Sequence, residues 1–172
     1  MRLGTFVVAG VLLSAIMVCG TAEAANARAE FINAQGQSVG GATLVETPHG
    51  VKIALQLSGL PAGTHGFHIH AVGKCDPPAF TSAGGHFNPE QRKHGGMSAE
   101  GPHAGDLPSL VVEQHGSYSG EVTAHRVTLH PGRNSLFSAN GTALVIHADP
   151  DDGKTDPTGN AGGRIACGVV TR

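Results

Sequence analysis

The stretch Val51-Lys52-Ile53-Ala54-Leu55-Gln56-Leu57 places an apolar side chain at every second position, with Lys52 and Gln56 between them. Successive side chains of a strand point to opposite faces, so this period of two reads as a half-buried strand with Val51, Ile53, Leu55 and Leu57 inward. Segments of similar length recur at 29–34, 41–46, 65–70, 109–114, 118–124, 142–147 and 164–170, separated by turn-forming stretches such as LPAG (60–63), HPGRN (130–134) and PDDG (150–153). Together they make eight short strands, and no ten-residue segment has the period of an amphipathic helix. The expected fold is all-β, one eight-stranded antiparallel sandwich or barrel, and 172 residues is about one such domain. Two segments, 71–108 and 148–163, break the rhythm. Loops beyond about 12–15 residues in a small domain are usually functional or disordered, and most of the histidines lie in or beside these two.

Composition narrows the function. Aromatic residues are 4% and Trp is absent, against 40% for the whole hydrophobic set, so the core is expected to consist mainly of Val, Leu, Ile and Ala. With a net charge of -2, no basic run beyond Arg92-Lys93 and no repeated aromatic platform, nucleic-acid binding is excluded. Eleven His residues against one Tyr call for an explanation by chemistry rather than packing.

Residues 1–24 read as a signal peptide: Arg2, an uncharged apolar run over 3–18, then Ala22-Glu23-Ala24 as a small-x-small cleavage site. The run is shorter than the roughly 20 residues that span a bilayer, so no transmembrane span is expected. A lipid anchor at Cys19 is disfavoured by Val18, which is larger than the residue usual before a lipidated cysteine. The working domain is then 25–172, located in the periplasm or outside the cell. It keeps two cysteines, Cys75 and Cys167, with one possible pairing that an oxidising compartment favours; two buried free thiols are the alternative.

In Gly66-Phe67-His68-Ile69-His70, strand alternation sends Phe67 and Ile69 to the core and both imidazoles to the opposite face. In Ala143-Leu144-Val145-Ile146-His147 the same period turns His147 outward at the mouth of the second long loop. The first long loop adds His86, His94, His103 and Asp106. Its apolar content is too small to offset an ordering cost of about 1–2 kcal/mol per residue, so a cation is a natural organiser. An all-nitrogen set (His68, His70, His86, His147) suits copper, and three nitrogens with one carboxylate (His86, His94, His103, Asp106) suit zinc, with His86 deprotonated and shared.

The stretches GFHIH (66–70), TSAGGHFNP (81–89), RKHGG (92–96), HAGDL (103–107), VIHA (145–148) and GNAGGRIACGV (159–169) resemble, in order, those of a copper/zinc superoxide dismutase of the exported bacterial kind. The resemblance implies an immunoglobulin-like Greek-key barrel, one copper and one zinc per chain on the two sets above, and dismutation of superoxide. It makes Asp151 the outer carboxylate linking His68 to His94, Arg164 the channel arginine that positions the anion, His86 a proton carrier, and Cys75–Cys167 the disulfide. A homodimer is open under it. Two features depart from the eukaryotic pattern: Cys75 lies only five residues after His70, and the 148–163 loop lacks the charged run that guides substrate. A noncatalytic metal store on the same sandwich would lack a copper ligand or the channel arginine, or add a CxxC; none of these is seen. The other histidines (His49, His65, His115, His125, His130) fall in turns or at strand edges and are expected to have ordinary roles, His65 orienting a ligand or satisfying a turn.

Overall fold

The structure, a computed structural model, describes residues 26–172; the signal peptide expected at 1–24, with Cys19, falls outside the described residues. Nine strands run through them: β1 (Asn26–Asn33), β2 (Ser38–Thr47), β3 (Gly50–Leu57), β4 (Gly63–His65), β5 (Phe67–His70), β6 (Leu110–Val112), β7 (Tyr118–Ala124), β8 (Ala143–His147) and β9 (Arg164–Val169). Seven form one curled antiparallel sheet in the order β5-β8-β9-β1-β2-β3-β7, and β4 pairs with β6. The crossover neighbours β5·β8, β9·β1 and β3·β7 bring distant segments side by side, as a Greek-key barrel requires. Among the described residues no helix is long and apolar enough to cross a membrane.

The alternation in β3 is realised: Val51, Ile53, Leu55 and Leu57 are buried, and Lys52 on the outer face pairs with Glu121 of β7 at 3.2 Å. Each such aliphatic side chain contributes about 1.5–3 kcal/mol by leaving water. The interior is mostly aliphatic, but Phe31, Phe67 and Phe80 are fully buried, so the few aromatics are spent on packing.

The expected single strand at 65–70 is two. Gly66 divides it, because its N–H donates to Asp149 O (2.8 Å) and its carbonyl accepts the N–H of His147 (2.8 Å), so the chain turns from one sheet to the other there. A Cβ at Gly66 would stand 2.8 Å from the Ala161 side chain.

Phe67 and Ile69 face the core, with His68 and His70 on the other side. That side is not solvent, however: all four residues are buried, as is His147. The long loops cover it. One cover is the disulfide segment, where Phe80 and Ala83 pack on Ala143, Val145 and Cys167; Cys75 and Cys167 are joined, their Cα atoms 5.6 Å apart. The other is stitched to the free edge of β5. Ile69 N–H donates to Gly105 O and Ile69 O accepts from Phe87 N–H, both at 2.8 Å, while Gly105 N–H donates to Phe87 O at 2.8 Å. A side chain on Gly105 would run into Ile69 O. The loop thus has backbone organisation in addition to any ion it holds, and it protects a sheet edge that would otherwise be unpaired.

Candidate metal centre

β5 and β8 lie side by side, so His68, His70 and His147 project from one face. The first loop lays His86 beside His70. Each of these four rings has one nitrogen engaged elsewhere. His68 Nε2 donates to Asp151 Oδ2 (2.6 Å), His70 Nδ1 to Gly84 O (2.9 Å) and His147 Nδ1 to Gly162 O (3.2 Å). Carbonyl and carboxylate oxygens only accept, so these contacts fix the tautomers and leave the remaining nitrogens as lone-pair donors. His70 Nε2 and His147 Nε2 lie 3.3 Å apart. His68 Nδ1 and His86 Nε2 are buried without a hydrogen-bond partner among the described residues. Orphaned buried nitrogens in such a cluster are what a soft or borderline cation would satisfy.

The other side of the His86 ring belongs to a second cluster. Asp106 Oδ1 lies 2.9 Å from His86 Nδ1, 3.1 Å from His94 Nδ1 and 3.2 Å from His103 Nδ1, and the His86 and His103 Nδ1 atoms are 3.4 Å apart. Ligands about 2.0–2.1 Å from a tetrahedral zinc are separated by roughly 3.3 Å, so the four atoms fit such an ion. Asp106 Oδ2 is held by the N–H groups of Gly95 (2.8 Å) and His103 (3.0 Å). Asp151 joins the clusters from outside: besides His68, its Oδ1 accepts from His94 Nε2 (3.0 Å) and from Gly153 N–H (2.7 Å). Its neighbour Asp152 instead closes a local turn on Thr155 and Asn160.

Electrostatics separate the two sets. Burial, reinforced by neighbouring imidazoles, lowers His70 to about 2 and His147 to about 3; burial lowers His86 to about 4 against the pull of Asp106. These rings are neutral and ready to ligate at neutral pH. For His94 burial also opposes charge, but Asp106 and Asp151 outweigh it and raise the ring to about 9. Burial works against charge on Asp106 and Asp151 too, yet hydrogen bonds from the histidines hold both well below the usual carboxylate range. In the metal-free protein His94 is therefore an imidazolium between two carboxylates. Because its folded value lies above the ordinary 6.5, this contribution to metal-free stability is full below pH 6.5 and is lost as pH rises through about 9. A cation ligated by His94 Nδ1 would displace that proton, so at pH 8 calorimetric titration with zinc in buffers of different ionisation enthalpy is expected to show proton release from this ring, up to about one per ion. No release at pH 8 would contradict the arrangement.

Arg164 opens β9 opposite His147, across an irregularity in the ladder. Its guanidinium donates to Phe80 O (2.5 Å) and Gly84 O (2.6 Å), and Gly84 O is also the acceptor for His70 Nδ1. The disulfide segment therefore fixes the arginine and one ligand histidine together.

Of two further residues at the centre, His65 is one the sequence leaves between orienting a ligand and satisfying a turn, and Gly159 is not marked by the sequence pattern. His65 is buried, its ring set between Pro61 O (2.9 Å) and His147 O (2.8 Å), where it props the end of β8. Gly159, at φ 64°, lies against the Asp151–His94 contact, and a Cβ there would stand 2.5 Å from His94 Nε2 and strike Asp151 Oδ1. Gly-Asn in a loop signals a turn but not this crowding. His49, His115, His125 and His130 are exposed and belong to neither cluster.

An antiparallel barrel carrying two histidine-rich clusters that share one ring defines a two-metal β-sandwich protein. The family model described as copper/zinc superoxide dismutase (SODC) matches residues 38–170. The chain is 54% identical over 144 residues to superoxide dismutase [Cu-Zn] 1 of Aquifex aeolicus, covering 83% of this chain and 85% of that one. Among solved structures, a double mutant of a SOD-like protein from Bacillus subtilis matches with a TM-score of 0.81 at 39% identity, covering 83% of this chain and 95% of the other. The Cu/Zn superoxide dismutase from Brucella abortus matches at 0.71 and 28%, covering 84% and 99%. The chain belongs to the copper/zinc superoxide dismutase family. It is an oxidoreductase with copper and zinc as cofactors, and it dismutes superoxide to dioxygen and hydrogen peroxide.

Proposed function

We propose that His68, His70, His86 and His147 hold the copper and that His86, His94, His103 and Asp106 hold the zinc, one of each per chain. The observation that carries this division is the His86 ring, with Nδ1 against Asp106 and an orphaned Nε2 on the all-nitrogen side. When bound, copper supplies one-electron chemistry by which two superoxide ions and two protons become dioxygen and hydrogen peroxide, and zinc supplies a fixed charge that does not change valence. Metal analysis of two variants tests the division. His70→Ala should lose copper and keep zinc, and His103→Ala should do the reverse; loss of the same metal from both would overturn it.

The chain's own residues do the rest. Asp151 holds His68 and His94 in the tautomers that turn their free nitrogens inward. A His86 ring ligating through both nitrogens carries no N–H. Its Nε2 is then the atom placed to take up a proton when freed and to deliver it to the reduced substrate, while Nδ1 stays on the zinc side. Arg164, immobilised by two carbonyls, supplies a local positive charge for a small anion despite the net charge of -2. Arg164→Ala is expected to lower kcat/KM by about 10- to 100-fold and flatten its dependence on ionic strength, with both metals retained. An unchanged rate and salt dependence would remove Arg164 from this role.

The grouping of all seven candidate ligand side chains, with Arg164 sharing Gly84 O with His70, supports this reading over a noncatalytic metal store. Residues 1–24 are read as the export signal, Cys19 leaving with them rather than carrying a lipid. The working chain, 25–172, then acts in the periplasm or outside the cell, a setting in keeping with the Cys75–Cys167 disulfide. The same reading admits a homodimer, which sedimentation of the metal-loaded protein distinguishes from a monomer by mass.

A further inference from the structure

The loop at 148–163 turns a further carboxylate toward the metal centre. Asp156 Oδ1 accepts the backbone N–H of His94 at 2.7 Å, and the same oxygen stands 3.7 Å from His103 Nε2. Its other oxygen is 3.8 Å from Lys93 Nζ. The Asp156 side chain is 40% exposed and the His103 side chain only 6%, so the carboxylate sits at the rim of the cluster and not within it. His103 faces Asp106 and His86 with Nδ1, which directs Nε2 outward to Asp156. A contact of 3.7 Å is too long for a formed hydrogen bond and acts through charge. When an imidazole ligates a cation through one nitrogen, positive charge builds on the opposite N–H. A carboxylate there raises the ring's basicity and favours its ligating orientation.

We propose that Asp156 is a positioning residue for the zinc cluster: it anchors His94 through the backbone N–H and sets a negative charge beside the outer nitrogen of His103. This rests on the reading that the second cluster holds zinc. Asp156 differs from Asp151 in kind. Asp151 grips two ligand rings and ties the clusters together, whereas Asp156 acts on the zinc cluster alone and clamps the two long loops to each other across 62 positions.

Two variants test this in the purified protein, with zinc and copper affinities measured by chelator competition and the geometry read from the visible spectrum of Co2+ in the zinc cluster. Asp156→Ala removes anchor and charge. It should weaken zinc by about tenfold or more, leave copper within about twofold, and alter the Co2+ bands. Asp156→Asn keeps an oxygen for the His94 N–H and loses the charge; it should restore the Co2+ spectrum while zinc affinity recovers only in part. Zinc affinity in Asp156→Ala within twofold of the parent overturns the proposal, as does an equal loss of both metals, which marks a general loosening. If His103→Ala leaves zinc uptake unchanged, the zinc assignment itself fails and this proposal with it.

Discussion

His86→Ala is expected to lower the rate of superoxide decay by more than about 100-fold and to weaken copper and zinc together. In the proposed assignment each other histidine ligates one metal only, so its loss would remove one of four donors from one ion. The His86 ring there supplies a nitrogen to both, whereas Asp151 links the two sets only from outside, through His68 and His94. Even partners one step removed from a metal typically cost 10- to 100-fold when deleted, so a shared direct ligand costs more. Its loss would also take away the proposed proton carrier at Nε2, and it leaves Asp106 Oδ1 with two rings in place of three. Metal analysis and a decay assay on the same variant check this. A variant that keeps one copper and one zinc and a tenth or more of the parental rate would contradict the shared-ring account.

Removing the disulfide, by Cys75→Ser with Cys167→Ser, has the second large effect, on stability first and activity second. The two cysteines stand 92 positions apart, and in the chain-entropy picture a cross-link closing such a loop stabilises by about 4–5 kcal/mol, with measured losses for native disulfides of about 2–5. For a domain of this size each kcal/mol moves the midpoint by about 2–4 °C, so a fall of about 10 °C is expected in the metal-loaded protein. The segment would still be held by Phe80 and Ala83 packed on Ala143 and Val145. The carbonyls of Phe80 and Gly84 that orient Arg164 and His70 would be less fixed, so a milder loss of rate, smaller than that of His86→Ala, should accompany the change. A midpoint within 2 °C of the parent would show that packing alone holds the segment.

Strand alternation made the inner face of the barrel readable in advance, because burial at period two is a local property: Val51 to Leu57 and Phe67 with Ile69 needed no knowledge of their partners. The ligand histidines were legible for a related reason. His68 and His70 share a strand face, and the Gly-rich spacing of His86, His94 and His103 suits neither helix nor sheet. Long-range relations stayed hidden. The division at Gly66 depends on Asp149 and His147, some 80 positions away, and the stitching of the β5 edge depends on where Phe87 and Gly105 fall in a folded loop. The burial of His68, His70 and His147, the crowding at Gly159 and the anchor at Asp156 all arise where the two long loops close over one face. None of these leaves a periodic trace in the chain.

In the proposed centre one shared imidazole joins a copper and a zinc into a working dismutase. The most direct measurement determines copper and zinc per chain in the purified protein and superoxide decay on that same sample. One copper, one zinc and rapid dismutation is the predicted result; full metal uptake without turnover would contradict the account and point to a metal store.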